Sequence, residues 1–185
     1  MIIRQSDGRS QPWKNGLGRT REIAVHPSSA GSGDFVWRVS VAEVDSAAPF
    51  SRFPGIDRHI VLLNGAGFTM RMDDGQDHAL TTPLTPFAFA GERGVDISLA
   101  SGATQDFNLM LRRSQARGRV IPWLTAGERP PDASTVLVYC ARGMIDTGEG
   151  TLRPGDAWRP EPAHGLIHLH DGAAALLVQV DILNH

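Results

Sequence analysis

Arg58 offers the clearest chemistry in this sequence, because an arginine guanidinium is a planar fork of donors that matches a carboxylate. It follows the turn at residues 53–57 and opens an apolar run that begins at His59. A structural alternative is a salt bridge to Asp57 or Glu22 that pins the turn. The two interpretations are compatible, since an arginine held by one acid can offer its other donors to a ligand.

Polar side chains recur at alternate positions in three apolar segments, within residues 20–24, 38–42 and 108–110. Alternate residues of a strand point to the same face. In a surface sheet these sets would meet water, whereas in a barrel they would line the interior. Asn108 supplies a donor and an acceptor, which suits a carboxylate or formamide head group. Arg38 is a second anion-binding candidate, and Trp13 or Phe107 could stack on a flat ring.

Four ordered motifs combine aromatic residues with polar and glycine positions. They are WKNGLGRTRE at residues 13–22, WRVS at 37–40, FSRFPGIDR at 50–58 and FNLM at 107–110. Together they resemble the HutD/Ves family, bacterial proteins encoded with or near histidine-degradation enzymes. Leu17 stands where that family usually has a glycine, a change that could narrow the turn or the pocket beside it.

The resemblance implies a ligand pocket and a role in histidine utilisation, with no catalytic residue and no cofactor. Urocanate, N-formylglutamate and formate are the small carboxylates expected as ligands, because each suits an arginine-lined pocket. The residues that the motifs and the strand alternation place in this pocket are Arg58, Arg38, Asn108, Trp13, Asn15, Thr20, Glu22, Ser40, Phe107 and Met110.

Two other functions stay open at this point. One is a cupin-type enzyme, metal-dependent or metal-free, that acts on a small organic acid, with Glu22 or Glu43 as a general acid or base. The other is a scaffold that binds another protein. A carboxylate buried beside Arg58 is expected to be held ionised by the arginine charge, which favours binding over proton donation.

Histidines near the C-terminal end raise the question of a metal. Cupin enzymes typically use an H-x-H pair, a glutamate some four residues later and a distant histidine. His168 and His170 have the spacing of the pair, but residues 171–175 contain no glutamate. We therefore predict no functional metal site, with a cluster of His164, His168 and His170 for zinc or nickel as the alternative.

Glycine and proline interrupt the sequence so often that no segment keeps helical periodicity, which predicts a mainly all-β protein. The count of 20 glycines and 12 prolines supports short strands joined by turns. Strands are predicted at residues 21–25, 35–44, 59–64, 68–72, 86–90, 95–100, 107–112, 135–140, 166–170 and 174–182.

The two halves of the sequence echo each other weakly, which indicates an internal duplication. The Pro-Gly-Asp turn at residues 154–156 resembles the second cupin motif. A bicupin is the resulting prediction, two cupin-like β-barrels of RmlC-like jelly-roll type in one compact unit. The predicted bounds are an N-terminal barrel over 1–112, a connection over 113–134 and a C-terminal barrel over 135–185, which packs with N-terminal strands.

Composition excludes several classes of partner. The 185 residues are 41% hydrophobic, enough for a large core, and the net charge of −2 provides no field for nucleic acid. No apolar run approaches the roughly 20 residues that span a bilayer, and residues 1–6 lack the apolar core of a signal peptide. We expect a cytoplasmic protein without a membrane partner. Because open sheet edges need covering, we also expect a homodimer.

Overall fold

A computed structural model describes residues 1–13, 16–28, 34–161 and 165–183, and nearly all regular structure in them is β. One short 3₁₀ turn spans Gln5–Asp7. No helix in the described ranges is long and apolar enough to cross a membrane. The eighteen strands of these ranges are, in chain order, β1 (Ile2–Ile3), β2 (Ser10–Pro12), β3 (Gly18–Pro27), β4 (Phe35–Val44), β5 (Ile56–Asn64), β6 (Phe68–Met72), β7 (Asp77–Leu80), β8 (Phe87–Ala90), β9 (Val95–Leu99), β10 (Thr104–Arg112), β11 (Ala116–Trp123), β12 (Gly127–Arg129), β13 (Thr135–Arg142), β14 (Ile145–Thr147), β15 (Gly150–Leu152), β16 (Ala157–Trp158), β17 (Ile167–Leu169) and β18 (Ala174–Ile182).

The all-β prediction is confirmed. The segments predicted at 35–44, 68–72 and 174–182 are strands with the same bounds, β4, β6 and β18. Most strands that the sequence did not reveal have two to four residues, too few for an alternating pattern to be recognised. The longer β11 begins with Ala116, Arg117, Gly118 and Arg119, a composition that is typical of a linker.

The chain divides into two compact units. Among the described residues, the N-terminal unit comprises those within 9–117 together with Leu183, and the C-terminal unit comprises those within 1–8 and 118–182. These bounds differ from the predicted ones in two places. The expected connection over 113–134 contains two strands. β11 lies next to β18 in one sheet, and β12 pairs with β17 in another. The first eight residues belong with the C-terminal unit, because β1 pairs with β16.

The N-terminal unit has two antiparallel sheets. Their strand orders are β2-β3-β4-β10-β5-β8 and β7-β6-β9. Ile60 and Leu62 of the larger sheet form one buried apolar cluster with Phe68, Met70 and Ile97 of the smaller sheet. The core of this unit therefore lies between the two sheets, as in a β-sandwich.

The C-terminal unit repeats this two-sheet plan. Its sheets have the orders β1-β16-β13-β18-β11 and β12-β17-β14-β15. Trp158 and Val138 of the first sheet share a buried cluster with Ile145, Leu152 and Leu169 of the second. Two units with the same plan are consistent with the predicted internal duplication.

Asp156 ties residues 1–8 into the C-terminal unit. Its carboxylate accepts hydrogen bonds from Arg4 Nη1 at 2.8 Å, from the Gln5 backbone N–H at 2.8 Å and from the Arg153 backbone N–H at 3.1 Å. Charge-assisted bonds of this kind are stronger than neutral ones. The turn that the sequence marked as Pro-Gly-Asp therefore anchors β1 beside β16.

Gly67 lies in the turn between β5 and β6, where the backbone packs too closely for a side chain. Its φ of +80° is left-handed, and an added Cβ would lie 2.0 Å from the Leu80 carbonyl oxygen. Gly75 has a similar φ of +82°, but nothing lies within 4 Å of its added Cβ. We expect Gly75→Ala to cost about 1 to 2 kcal/mol and Gly67→Ala about 3 to 5 kcal/mol in the free energy of unfolding. Urea denaturation of both variants checks this, and equal losses would contradict the close contact.

Candidate functional site

The N-terminal unit contains a cavity of about 580 Å³, the size of a small-molecule site. It lies among residues of the larger sheet and of the segment that follows β4. Predicted site residues that line it are Trp13, Thr20, Glu22, Arg38, Ser40, Arg58, Asn108 and Met110. Residues that the sequence analysis did not select also line it, including Arg9, Gln11, Phe50, Phe53 and Asp106.

Strand register explains why these side chains meet. Ser40 of β4 is paired with Asn108 of β10 on one side and with Glu22 of β3 on the other. Met110 of β10 is likewise paired with both Arg38 and Arg58. Because directly paired residues of antiparallel strands point to the same face, the polar sets of four strands form one continuous wall.

The described lining of the cavity lacks two of the ten predicted site residues, Phe107 and Asn15. Phe107 has no exposed surface and does not line the cavity, because alternation points it to the opposite face of β10 from Asn108. Asn15 lies outside the described residues. Trp13 does line the cavity, and its Nε1–H donates a hydrogen bond of 2.7 Å to Thr20 Oγ1.

Arg58 is buried among aromatic rings. Its guanidinium carbon lies 5.1 Å from the ring centroid of Phe50, 5.6 Å from that of Phe53 and 5.0 Å from that of Phe89. Such distances allow cation–π attraction. Burial lowers the pKa of Arg58 to about 10, an effect that the negative charge of Asp106 opposes. The side chain therefore remains a cation at neutral pH.

The two salt bridges considered for Arg58 are not the contacts that the structure shows. Glu22 pairs with Arg38, with 2.9 Å between Oε2 and Nε, and Asp57 accepts a hydrogen bond of 2.7 Å from Arg113 Nε. Arg58 Nη2 instead donates a hydrogen bond of 2.8 Å to Asn108 Oδ1. The two acids considered as partners of Arg58 therefore pair with Arg38 and Arg113 instead.

Asn108 links Arg58 to a buried acid. Its Oδ1 accepts from Arg58, and its Nδ2 donates to Asp106 Oδ2. We call Arg58, Asn108 and Asp106 the polar trio. Their exposed fractions are 5%, 4% and 1%. One amide therefore joins a cation and a carboxyl group that are both removed from water.

The polar trio is not fully satisfied by the described part of the protein. Arg58 Nε and Asp106 Oδ1 are buried and have no hydrogen-bond partner there. Buried polar atoms in proteins nearly always have a partner, so unpaired ones call for an explanation. A donor and an acceptor in the same wall thus retain the capacity for further hydrogen bonds.

Asp106 corrects the expectation that an acid buried beside Arg58 would stay ionised. Burial raises its pKa to about 7, and the charge of Arg58 and the hydrogen bond from Asn108 only partly oppose this. The cost of removing the carboxylate from water is the larger effect. Alternation was a usable signal for this residue, because it lies two positions before Asn108 on β10.

The two described histidines of the C-terminal unit each lie beside an acid on its four-stranded sheet. His168 Nδ1 is 3.2 Å from Glu128 Oε1, and His170 Nε2 is 2.7 Å from Asp146 Oδ2. His164 is outside the described residues. Within the described ranges, no group of three or more histidine, cysteine, aspartate or glutamate residues has the geometry to hold a metal ion.

Comparisons with known proteins agree with the motifs. The HutD family model matches residues 5–177. An uncharacterized 21.2 kDa protein from the hutC 3′ region of Pseudomonas putida is 37% identical over 146 residues, which cover 78% of this chain and 75% of the relative. Protein Ves of Cronobacter sakazakii is 35% identical over 176 residues, or 92% of this chain and 93% of that protein.

Solved structures extend the similarity to the fold. HutD from Pseudomonas fluorescens SBW25 has a TM-score of 0.84 at 29% identity, with 100% of this chain and 99% of that chain covered. A cupin 2 conserved barrel domain protein from Leptotrichia buccalis has a TM-score of 0.61 at 10% identity, over 98% of this chain and 96% of that one, which shows a cupin-like fold alone. The motifs, the family match and these folds together show that this chain belongs to the HutD family.

Proposed function

We propose that this protein binds a small carboxylate in the cavity of its N-terminal unit, without converting it chemically, and thereby modulates histidine utilisation. The observation that carries this proposal is Arg58, a buried cation in the cavity wall. A cation away from water attracts an anion more strongly than a cation on the surface does.

Arg58 is also well prepared for a ligand. Within the described residues its hydrogen bonding consists of the bond from Nη2 to Asn108, while a guanidinium has five N–H donors. Phe50, Phe53 and Phe89 surround it, so its orientation costs little to maintain when a ligand arrives. A carboxylate is the group that best matches the remaining donors.

The rest of the cavity suits a small acid with a second polar or flat group. Arg9 and Arg38 line it, as candidates for a second carboxylate such as that of N-formylglutamate. Trp13 provides a flat apolar face for a ring such as that of urocanate. Formate joins these two as a minimal probe, and the related HutD structure from P. fluorescens was obtained in a formate condition.

The family name supports the pathway, because HutD refers to histidine utilisation. A binding protein for a pathway acid would sense that acid or buffer its concentration. Sensing or buffering the pathway acid would affect histidine utilisation without any catalytic step. This part of the proposal rests on the family and on the carboxylate site together.

A second candidate function is a cupin-type enzyme that acts on a small organic acid, and Asp106 is the observation that favours it. A carboxyl group in a cavity with a pKa of about 7 can donate and accept a proton near neutral pH. Proton NMR of each acid incubated with the protein separates the two functions. An unchanged spectrum agrees with binding alone, and conversion at a rate set by the protein concentration establishes an enzyme.

The carboxylate proposal predicts stabilisation by a ligand that depends on Arg58. A carboxylate at about 100 times its Kd adds about 2.7 kcal/mol, which raises the Tm by roughly 5 to 10 °C for a chain of this size. We expect Arg58→Gln to bind at least about tenfold more weakly, because it loses the charge and the forked donors. Thermal-shift titrations with urocanate, N-formylglutamate and formate measure both effects.

Arg71→Gln is the matched control for this experiment, since Arg71 is exposed on β6 and does not line the cavity. It should respond to the acids as the unmodified protein does. Circular dichroism establishes that each variant is folded. An undiminished response in folded Arg58→Gln would remove Arg58 from the site, and no response of the unmodified protein to any acid would refute the carboxylate proposal.

Trp13 should distinguish ligands that have a ring from ligands that do not. We expect Trp13→Leu to weaken urocanate binding by roughly three- to tenfold through lost ring contact, and formate binding by less than about twofold. Thr20→Val removes the acceptor of the Trp13 Nε1–H bond but keeps the ring, so it controls for that bond. Calorimetric titration of the two ligands checks this, and an equal loss for both would exclude a stacking role.

A further inference from the structure

Asp106 raises a question of charge that the carboxylate site alone does not answer. The polar trio contains one cation, Arg58, and one carboxyl group, Asp106, joined through Asn108. If Asp106 is ionised, the charge of Arg58 is already balanced before any ligand binds. A carboxylate ligand then brings a second negative charge to a single buried cation.

The surroundings of the trio make that second charge unfavourable. Phe50, Phe53 and Phe89 lie around the guanidinium, and Asp106 has an exposed fraction of only 1%. Two like charges a few ångströms apart in such an environment repel strongly enough to weaken binding by roughly one to two orders of magnitude. Buried charges in proteins are accordingly paired or neutralised.

We propose that Asp106 determines the charge of the ligand that the cavity accepts, so that a carboxylate binds at Arg58 only when the Asp106 carboxyl group is protonated, and an ionised Asp106 takes a proton from solvent as the ligand binds. This inference rests on the proposed carboxylate site. Protonation leaves the ligand as the one negative partner of Arg58. It also turns Asp106 into a hydrogen-bond donor, and its Oδ1 has no other partner among the described residues.

Other charged groups around the cavity do not replace Asp106 in this role. Glu22 and Arg38 form a partly exposed ion pair with 2.9 Å between Oε2 and Nε, so their charges balance. Apart from these two residues and the polar trio, Arg9 is the charged residue in the described lining of the cavity. The smaller sheet contributes apolar side chains such as Met70 to the adjoining core.

No histidine belongs to the described lining of the cavity. His59 follows Arg58 on β5, so alternation directs it to the other face of the sheet. Among the described residues that line the cavity, Asp106 is thus the buried acid. Because its pKa is about 7, a small change of environment suffices to protonate it near neutral pH.

The test measures ligand affinity and proton uptake at pH 6 and pH 8. Formate and N-formylglutamate are the probes, because their carboxylates stay ionised over this range whereas the imidazole of urocanate titrates near it. If only the protonated form of Asp106 binds, a pKa of about 7 makes the apparent Kd about tenfold weaker at pH 8 than at pH 6. Sodium chloride keeps the ionic strength equal.

Calorimetry of N-formylglutamate binding in two buffers with different ionisation enthalpies counts the protons directly. We expect uptake of about 0.9 proton per ligand at pH 8 and about 0.1 at pH 6, the ionised fractions of a group with a pKa of about 7. This count uses the unmodified protein, so it does not depend on any variant being folded. Uptake near zero at both pH values would overturn the inference.

Asp106→Asn keeps the shape of the side chain and its oxygen acceptor for Asn108 but cannot titrate. We expect it to bind the probes with the same affinity at both pH values and without proton uptake. Asp96→Asn is the matched control, since Asp96 is exposed on β9 and should behave as the unmodified protein. Loss of binding at both pH values in folded Asp106→Asn would show a structural role for Asp106 and contradict our inference.

Stability without ligand gives a second readout. The pKa of folded Asp106 lies above its ordinary value of 3.8, so its contribution to stability is complete below about pH 4 and is lost as the pH rises through about 7. Between pH 5 and pH 8 the Tm of the unmodified protein should fall by several degrees relative to Asp106→Asn. A constant difference would mean that Asp106 is already ionised at pH 5, which is incompatible with our proposal.

The outcomes separate the inference from the function on which it rests. Equal affinity at pH 6 and pH 8 without proton uptake would refute the role of Asp106 and leave the carboxylate site intact. Failure of every carboxylate to bind at either pH would refute the proposed function, and this inference with it.

Discussion

The amide of Asn108 is the interaction on which the interior of the N-terminal unit depends. It accepts a hydrogen bond from Arg58 and donates one to Asp106, so a cation and an acid can both lie in a wall that contains aromatic rings. Without it, each group would lose a hydrogen bond that adds to their mutual charge attraction in offsetting removal from water. The orientation of the Arg58 guanidinium and the joint burial of Arg58 and Asp106 in the cavity wall both rely on this arrangement.

Regular alternation made much of this protein predictable. Alternation predicts Arg38, Ser40 and Asn108 on the polar faces of long strands, and the register of β4 and β10 pairs Ser40 with Asn108 and Arg38 with Met110. Asp106 was missed because the strand was predicted to begin at Phe107, whereas β10 begins at Thr104. Its acidity depends on burial by distant segments, which local spacing does not reveal.

The two units share a plan but differ in their interiors. In the C-terminal unit, large side chains such as Trp123 and Trp158 belong to a compact apolar cluster. In the N-terminal unit, the apolar cluster adjoins a polar cavity. A buried polar wall contributes less to stability than close apolar packing does. The N-terminal unit, which contains the proposed site, is therefore expected to gain less stability from its interior than the C-terminal unit does.

The pairing of β1 with β16 has a consequence for biosynthesis. Ile2 is paired with Trp158, more than 150 residues later in the chain. At ribosomal rates of about 5 to 20 residues per second, the first strand waits roughly 8 to 30 s for its partner to be made. During that time residues 9–117 are complete and can begin to fold, so the earlier segment must stay available and unaggregated until the later one emerges.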